Sequence, residues 1–186
     1  MPDYGKSALI NLLATRSARR GSFVLASGRQ SSLYIDARLT TMSPEGLALI
    51  GPLALQALSD AGWQVDSVGG LTLGADPIAY AISYASASTK NPIRAFTVRK
   101  EAKAHGTGKL IEGPFQAGDR VAIVEDVITT GASALRAAGA VQREGGTIAG
   151  VLALVDREEG GREAIEAEGF RVLSLVQAKS ILAGFA

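Results

Sequence analysis

Residues 148–155 read I-A-G-V-L-A-L-V, eight successive positions with no charge and no alternation of polarity. A strand with one wet face alternates apolar and polar residues. One that is apolar at every step has to be covered on both sides, which is the situation of a strand inside a parallel sheet. The segments 65–70, 93–98, 120–125 and 170–176 are further strand candidates. Between them lie helical patterns: 44–61, opened by the N-cap and first-turn pair Ser43-Pro44, an Ala-rich 75–88, then 131–144 and 161–168. Strands alternating with helices imply an α/β fold, a mainly parallel sheet with helices on both faces.

The first forty residues are organised differently. Leu9, Ile10, Leu12 and Leu13 have helical spacing, which predicts a helix over 5–19 that ends in the basic turn Arg16, Arg19, Arg20 before Gly21. Two short strands, 22–26 and 33–37, follow around a Ser/Gly turn. Residues 99–118 read as a long polar loop, and a short apolar tail closes the chain. With no internal repeat and no linker, residues 1–186 are expected to form one domain: a small N-terminal segment to about 40 and a core over about 41–186.

Composition narrows the function classes. Nineteen basic and 18 acidic residues leave a net charge of +1, so there is no electrostatic case for nucleic acid or an anionic membrane as the main partner. No cysteine is present, which excludes disulfides and thiolate metal sites and favours an intracellular setting. The opening M-P-D-Y-G-K lacks the pattern of a signal peptide, and Gly, Ser, Gln or charges interrupt every apolar run before it could span a bilayer. A cytoplasmic protein is expected.

The chemistry is concentrated in V-A-I-V-E-D-V-I-T-T-G-A-S, Val121 to Ser133. An apolar strand runs into the adjacent carboxylates Glu125 and Asp126. Val127 and Ile128 follow, then Thr129, Thr130, Gly131, Ala132 and Ser133 open a helix. In open parallel sheets ligands bind beyond the carboxyl ends of the strands. Free amides at the helix start, with Gly131 permitting close approach, suit a phosphate. Two carboxylates beside them suit the vicinal hydroxyls of a phosphorylated sugar. A pair of acids that merely caps the helix is the plainer alternative.

This stretch resembles the phosphoribosyl pyrophosphate (PRPP) motif of the type I phosphoribosyltransferases. The resemblance implies that fold, with a small N-terminal hood. It gives Glu125 and Asp126 the ribose hydroxyls, and Thr129 to Ser133 the 5-phosphate; Val127 and Ile128 belong to the same PRPP-binding run.

Three more segments extend the resemblance to orotate phosphoribosyltransferase. R-K-E-A-K-A-H-G-T-G-K (99–109) places four Lys/Arg and the single histidine within eleven residues. A solvated basic loop is the default for such a run. It is no Walker A element, because Leu110 stands where Ser/Thr is needed. It is similar to the family's catalytic loop, which reaches into the partner subunit's site. Arg99, Lys100, Lys103 and His105 are thereby implied to bind the pyrophosphate of PRPP, with Arg99, Lys103 and His105 catalytic and Lys103 nearest the chemistry.

The turn G-G-L-T-L-G-A-D-P (69–77) departs from a dinucleotide fingerprint and stands where the family has its pyrophosphate loop, the backbone of Leu71 to Gly74. Arg157, after the strand 148–155, matches the family's orotate-binding arginine; its planar fork suits a carboxylate. Thr129 matches the threonine that contacts orotate.

The segment F-V-L-A-S-G-R-Q-S-S-L-Y-I-D resembles the hood, except that Ala26 replaces a frequent lysine. Either Arg29 or the basic loop takes over that contact, or the contact is dispensable. The resemblance implies a homodimer with shared active sites, Mg²⁺ as cofactor, orotate and PRPP as substrates, and no protein ligand set for a metal. A transferase for another base, and a PRPP-sensing regulator, are the competing readings.

Overall fold

The computed structural model describes residues 4–24, 30–101 and 109–183. Six strands form the central sheet in the order β5-β4-β3-β6-β7-β8. These are β3 (Ser67–Leu71), β4 (Arg94–Val98), β5 (Ile111–Glu112), β6 (Arg120–Ile128), β7 (Thr147–Asp156) and β8 (Val172–Gln177). All neighbours are parallel except β4 and β5. Helix α3 (Pro44–Asp60) leads into β3, and helices α4 (Asp76–Ser86), α5 (Ala132–Arg143) and α6 (Gly161–Ala167) connect β3 to β4, β6 to β7 and β7 to β8.

Successive residues of β6 and β7 serve two different cores, which is why these strands are apolar at every step. Ala122, Val124, Leu152 and Leu154 face one core together with Leu9, Ile50, Ile78 and Ile82. Val121, Ile123, Val151 and Ala153 face the other, with Ala134, Ala138, Val141 and Ile165. Side chains alternate across a strand, so two covered faces leave no position for a polar residue. The helix α3 begins as its sequence predicts: Ser43 Oγ accepts from Gly46 N at 3.1 Å and Pro44 occupies the first turn.

A two-stranded antiparallel sheet, β1 (Ala18–Val24) and β2 (Gln30–Ile35), forms the N-terminal element. Its boundaries depart from the sequence reading. The α-helix α1 (Tyr4–Leu12) stops seven residues before the expected end, in a π-turn over Leu13–Ser17, and residues 18–20 belong to β1. Pairing with β2 decides this: Ala18 lies opposite Ile35 and Arg20 opposite Leu33, so tertiary contacts override local helical spacing. Ala26 and Arg29 lie outside the described residues.

Three short elements were not anticipated: α2 (Arg38–Thr41), the strand β5 within the expected polar loop, and α7 (Ala178–Ala183) in the tail. Among the described residues no helix is long and apolar enough to cross a membrane.

Candidate active site

The acidic pair does not terminate its strand. The strand β6 runs on to Ile128, because β7 pairs with it throughout: Glu125 lies opposite Ala153 and Ile128 opposite Asp156. On the other side β3 stops pairing at Ile123. Glu125 and Asp126 therefore stand at a step in the sheet, where one neighbour has left and the other continues. A cavity of about 660 Å³ opens at this step. It is bounded by the β3–α4 turn, the end of β6, the start of α5, Arg157 and the N-terminal segment 34–38. A larger groove, about 1120 Å³, lies at the opposite, amino ends of the strands beside Asp66, Arg94 and Arg120. It holds none of the motif residues, which gather instead at the smaller cavity, the candidate site.

Glu125 and Asp126 interact directly. Burial first, then the charge of Asp126 and a hydrogen bond with it, push the Glu125 carboxyl up from its ordinary value to about 9. Glu125 is thereby protonated in the free protein at neutral pH. Asp126 Oδ1 accepts from its neighbour's amide, Val127 N, at 2.8 Å. A Cβ on Gly74 would lie 2.5 Å from Asp126 Oδ2, so only glycine lets the β3–α4 turn close onto this carboxylate.

Gly131 sits at the N-cap of α5 with φ +80°, a left-handed conformation suited to glycine. Gly131 itself offers no side-chain cap, and no acid occupies the first turn. Thr130 Oγ1 is 3.5 Å from Ala132 N. The amides of this turn and the hydroxyls of Thr129, Thr130 and Ser133 face an anion-sized opening. Val127 borders the cavity, but Ile128 is buried in the core against α6, and Gly131 and Ala132 add nothing to its wall.

Arg157 is buried, not a surface arginine. Its Nε donates to Glu159 Oε1 at 3.0 Å, and its Nη2 lies 2.8 Å from the same oxygen and donates to the Leu33 carbonyl at 2.9 Å. The guanidinium is held between a carboxylate on its own loop and the backbone of β2.

Within the basic segment, Lys100 borders the cavity. Arg99 faces a smaller neighbouring hollow with Thr72, Thr97 and Glu112, and its Nη1 is 3.5 Å from Glu112 Oε1. The carbonyl of Lys100 accepts from Arg136 Nη2, which ties the base of the loop to α5. Lys103 and His105 lie outside the described residues.

The cavity also takes in Tyr34, Asp36 and Arg38, which the sequence did not mark as site residues, although the hood motif includes Tyr34 and Asp36. Asp36 holds Arg38 in a two-point ion pair, with Nε–Oδ1 at 2.8 Å and Nη2–Oδ2 at 3.1 Å. This presents a cation at the cavity rim. Among the described residues no group of three or more His, Cys, Asp or Glu forms a metal cage.

No protein-family model matches the chain. Individual relatives do. The chain is 47% identical over 174 residues to orotate phosphoribosyltransferase of Aquifex aeolicus, covering 94% of each. It is 48% identical over 175 residues to that of Mycobacterium tuberculosis, again covering 94% of each. The solved structure of the M. tuberculosis enzyme with Fe(III) dicitrate superposes with a TM-score of 0.83, spanning 95% of this chain and 98% of that one at 46% identity. The same enzyme in complex with PRPP superposes at 0.79, spanning 97% and 93% at 40% identity. An adenine phosphoribosyltransferase from Leishmania donovani, 18% identical with a TM-score of 0.62, shares the fold alone. Identity and coverage of this order make the chain a member of the orotate phosphoribosyltransferase family.

Proposed function

We infer that this protein transfers the 5-phosphoribosyl group of PRPP to orotate, giving orotidine 5′-phosphate and pyrophosphate in the synthesis of UMP. The observation that carries this is the meeting, in one cavity, of an acidic pair, an uncapped helix start, a glycine-bearing turn and a buried arginine.

A phosphorylated ribose would place its 5-phosphate against the Thr129–Ser133 turn, whose amides and hydroxyls are donors. Its two ring hydroxyls would reach Glu125 and Asp126. The diphosphate would then lie along Leu71–Gly74, with Arg99, Lys100, Lys103 and His105 supplying positive charge. Arg157 and Thr129 would hold orotate by its carboxylate and ring. The bond between the anomeric carbon and the diphosphate oxygen breaks, and the electron pair leaves with pyrophosphate. A ring nitrogen of orotate, having lost its proton, forms the new bond. No side chain acts as nucleophile; orientation and charge stabilisation supply the rate.

The donor set suits Mg²⁺ of the kind that keeps its waters and binds mostly to substrate oxygens, since the chain offers one or two carboxylates here and no cage. Such an ion would neutralise the diphosphate. A homodimer is supported by the exposure of Leu73, Tyr80 and Tyr84, three large apolar side chains on the β3–α4 turn and α4. It would bring the basic loop of one subunit to the site of the other. A cytoplasmic setting accords with a reaction between soluble metabolites.

The test is pyrophosphate release from PRPP and Mg²⁺ with orotate, uracil, adenine or hypoxanthine as acceptor. Turnover confined to orotate is expected; turnover with a purine, or none at all, refutes the assignment. Lys103→Ala should lower kcat by at least about a hundredfold without altering the fold, the scale of a lost charge-stabilising group. Unchanged turnover removes the loop from the mechanism.

A further inference from the structure

The turn proposed to receive the diphosphate is braced from behind by a chain of side chains. Asp76, in the first turn of α4, is buried at 8% exposure. Its Oδ2 accepts from Thr72 Oγ1 at 2.7 Å, and its Oδ1 accepts from Thr97 Oγ1 at 2.9 Å. Tyr80 OH lies 3.1 Å from the same Thr97 hydroxyl. Thr97 gives its proton to Asp76, so Tyr80 has to donate to Thr97. All donation therefore converges on Asp76, from Thr72 on one side and from Tyr80 through Thr97 on the other.

The consequences fall on Leu73 and Gly74. Thr72 is fixed twice, by its hydroxyl on Asp76 and by its amide, which donates to the Val98 carbonyl at 2.8 Å. The next two amides, of Leu73 and Gly74, donate to nothing among the described residues. They are left for an anion. A buried carboxylate so near an anion site is unfavourable unless its acceptors are satisfied. Here both oxygens are occupied by hydroxyls.

We propose that Asp76 is a positioning residue for PRPP. Through Thr72 it holds the Leu73 and Gly74 amides aimed at the diphosphate, and through Thr97 and Tyr80 it ties that turn to β4 and to the exposed face of α4. The proposal rests on the reading of Leu71–Gly74 as the diphosphate site. It concerns PRPP and not orotate, because Asp76 borders neither Arg157 nor Thr129.

The test combines steady-state kinetics with amide NMR of the full-length protein. Asp76→Asn keeps the shape of the side chain but loses an acceptor. It should raise KM for PRPP roughly tenfold while KM for orotate stays within about twofold. Thr72→Val should reproduce the effect, and Thr72→Ser should restore PRPP affinity to near the native level. Tyr80→Phe, at the end of the chain, should give a smaller change in the same direction. If Asp76→Asn does not fold, the Thr72 pair carries the test.

An unchanged PRPP KM in both Asp76→Asn and Thr72→Val overturns the proposal. So does an equal rise in both KM values, which marks a general structural role. In the native protein, Leu73 and Gly74 amide resonances should shift on addition of inorganic pyrophosphate with Mg²⁺. No shift there refutes the site reading itself. Shifts of equal size in the native protein and Asp76→Asn refute only the role of Asp76.

Discussion

Replacing Glu125 by Gln should make the free protein more stable at alkaline pH, and the gain should grow with pH. Glu125 titrates near 9 in the folded protein, against 4.5 ordinarily, because it is buried beside Asp126. Between those values the folded state binds one proton more than the unfolded chain. Stability from this group is therefore complete below about pH 4.5 and is lost as pH rises toward 9. The slope for one proton is about 1.4 kcal/mol per pH unit, so the native protein should lose about 3 kcal/mol from this group between pH 6 and 8. Glutamine copies the shape of the protonated acid and does not titrate. Urea unfolding followed through Trp63, the single tryptophan, would give both stabilities at each pH and at one protein concentration. The native-minus-variant difference should become steadily more negative across this range. Parallel curves would show that Glu125 is ionised in the free protein and that the pair shares no proton.

Two other substitutions probe the site and the assembly. Gly74→Ala puts a Cβ 2.5 Å from Asp126 Oδ2, and should raise the Kd for PRPP by at least about tenfold in calorimetric titration, since both turn and carboxylate have to move; unchanged binding would separate the turn from the acidic pair. Tyr84→Glu places a charge on a side chain that is 86% exposed and should yield monomers in sedimentation if α4 forms the subunit contact; an undiminished dimer mass directs the search to another face.

Much of the fold was legible because its signals are local. Uninterrupted apolar runs such as 148–155 admit few settings, and the helices between them set the parallel order. The motif residues at 125–133 were legible for the same reason: one strand-to-helix turn carries them all. What escaped was decided at a distance. The strand β1 begins at Ala18 because β2 lies opposite, and β5 is two residues recruited by β4. Arg38 became a site residue only when segment 34–38 was laid across the carboxyl ends of the strands. The acids looked like the end of β6 because their charge interrupts its apolar run, yet the backbone pairs past them with β7. The role of Asp76 depends on Thr97, 21 positions away, on a strand whose sequence gives no hint of a partner.

The hydrogen bond from Arg157 to the Leu33 carbonyl spans 124 positions of the chain and makes one guanidinium both the floor of a pocket and a fastener for its roof. With Arg157 proposed to hold orotate, base preference and hood attachment would rest on one side chain. Retargeting such a scaffold to an uncharged base cannot proceed by exchanging that arginine alone. A successful redesign has to furnish a new donor for β2, or the cover over the pocket comes loose along with the old specificity.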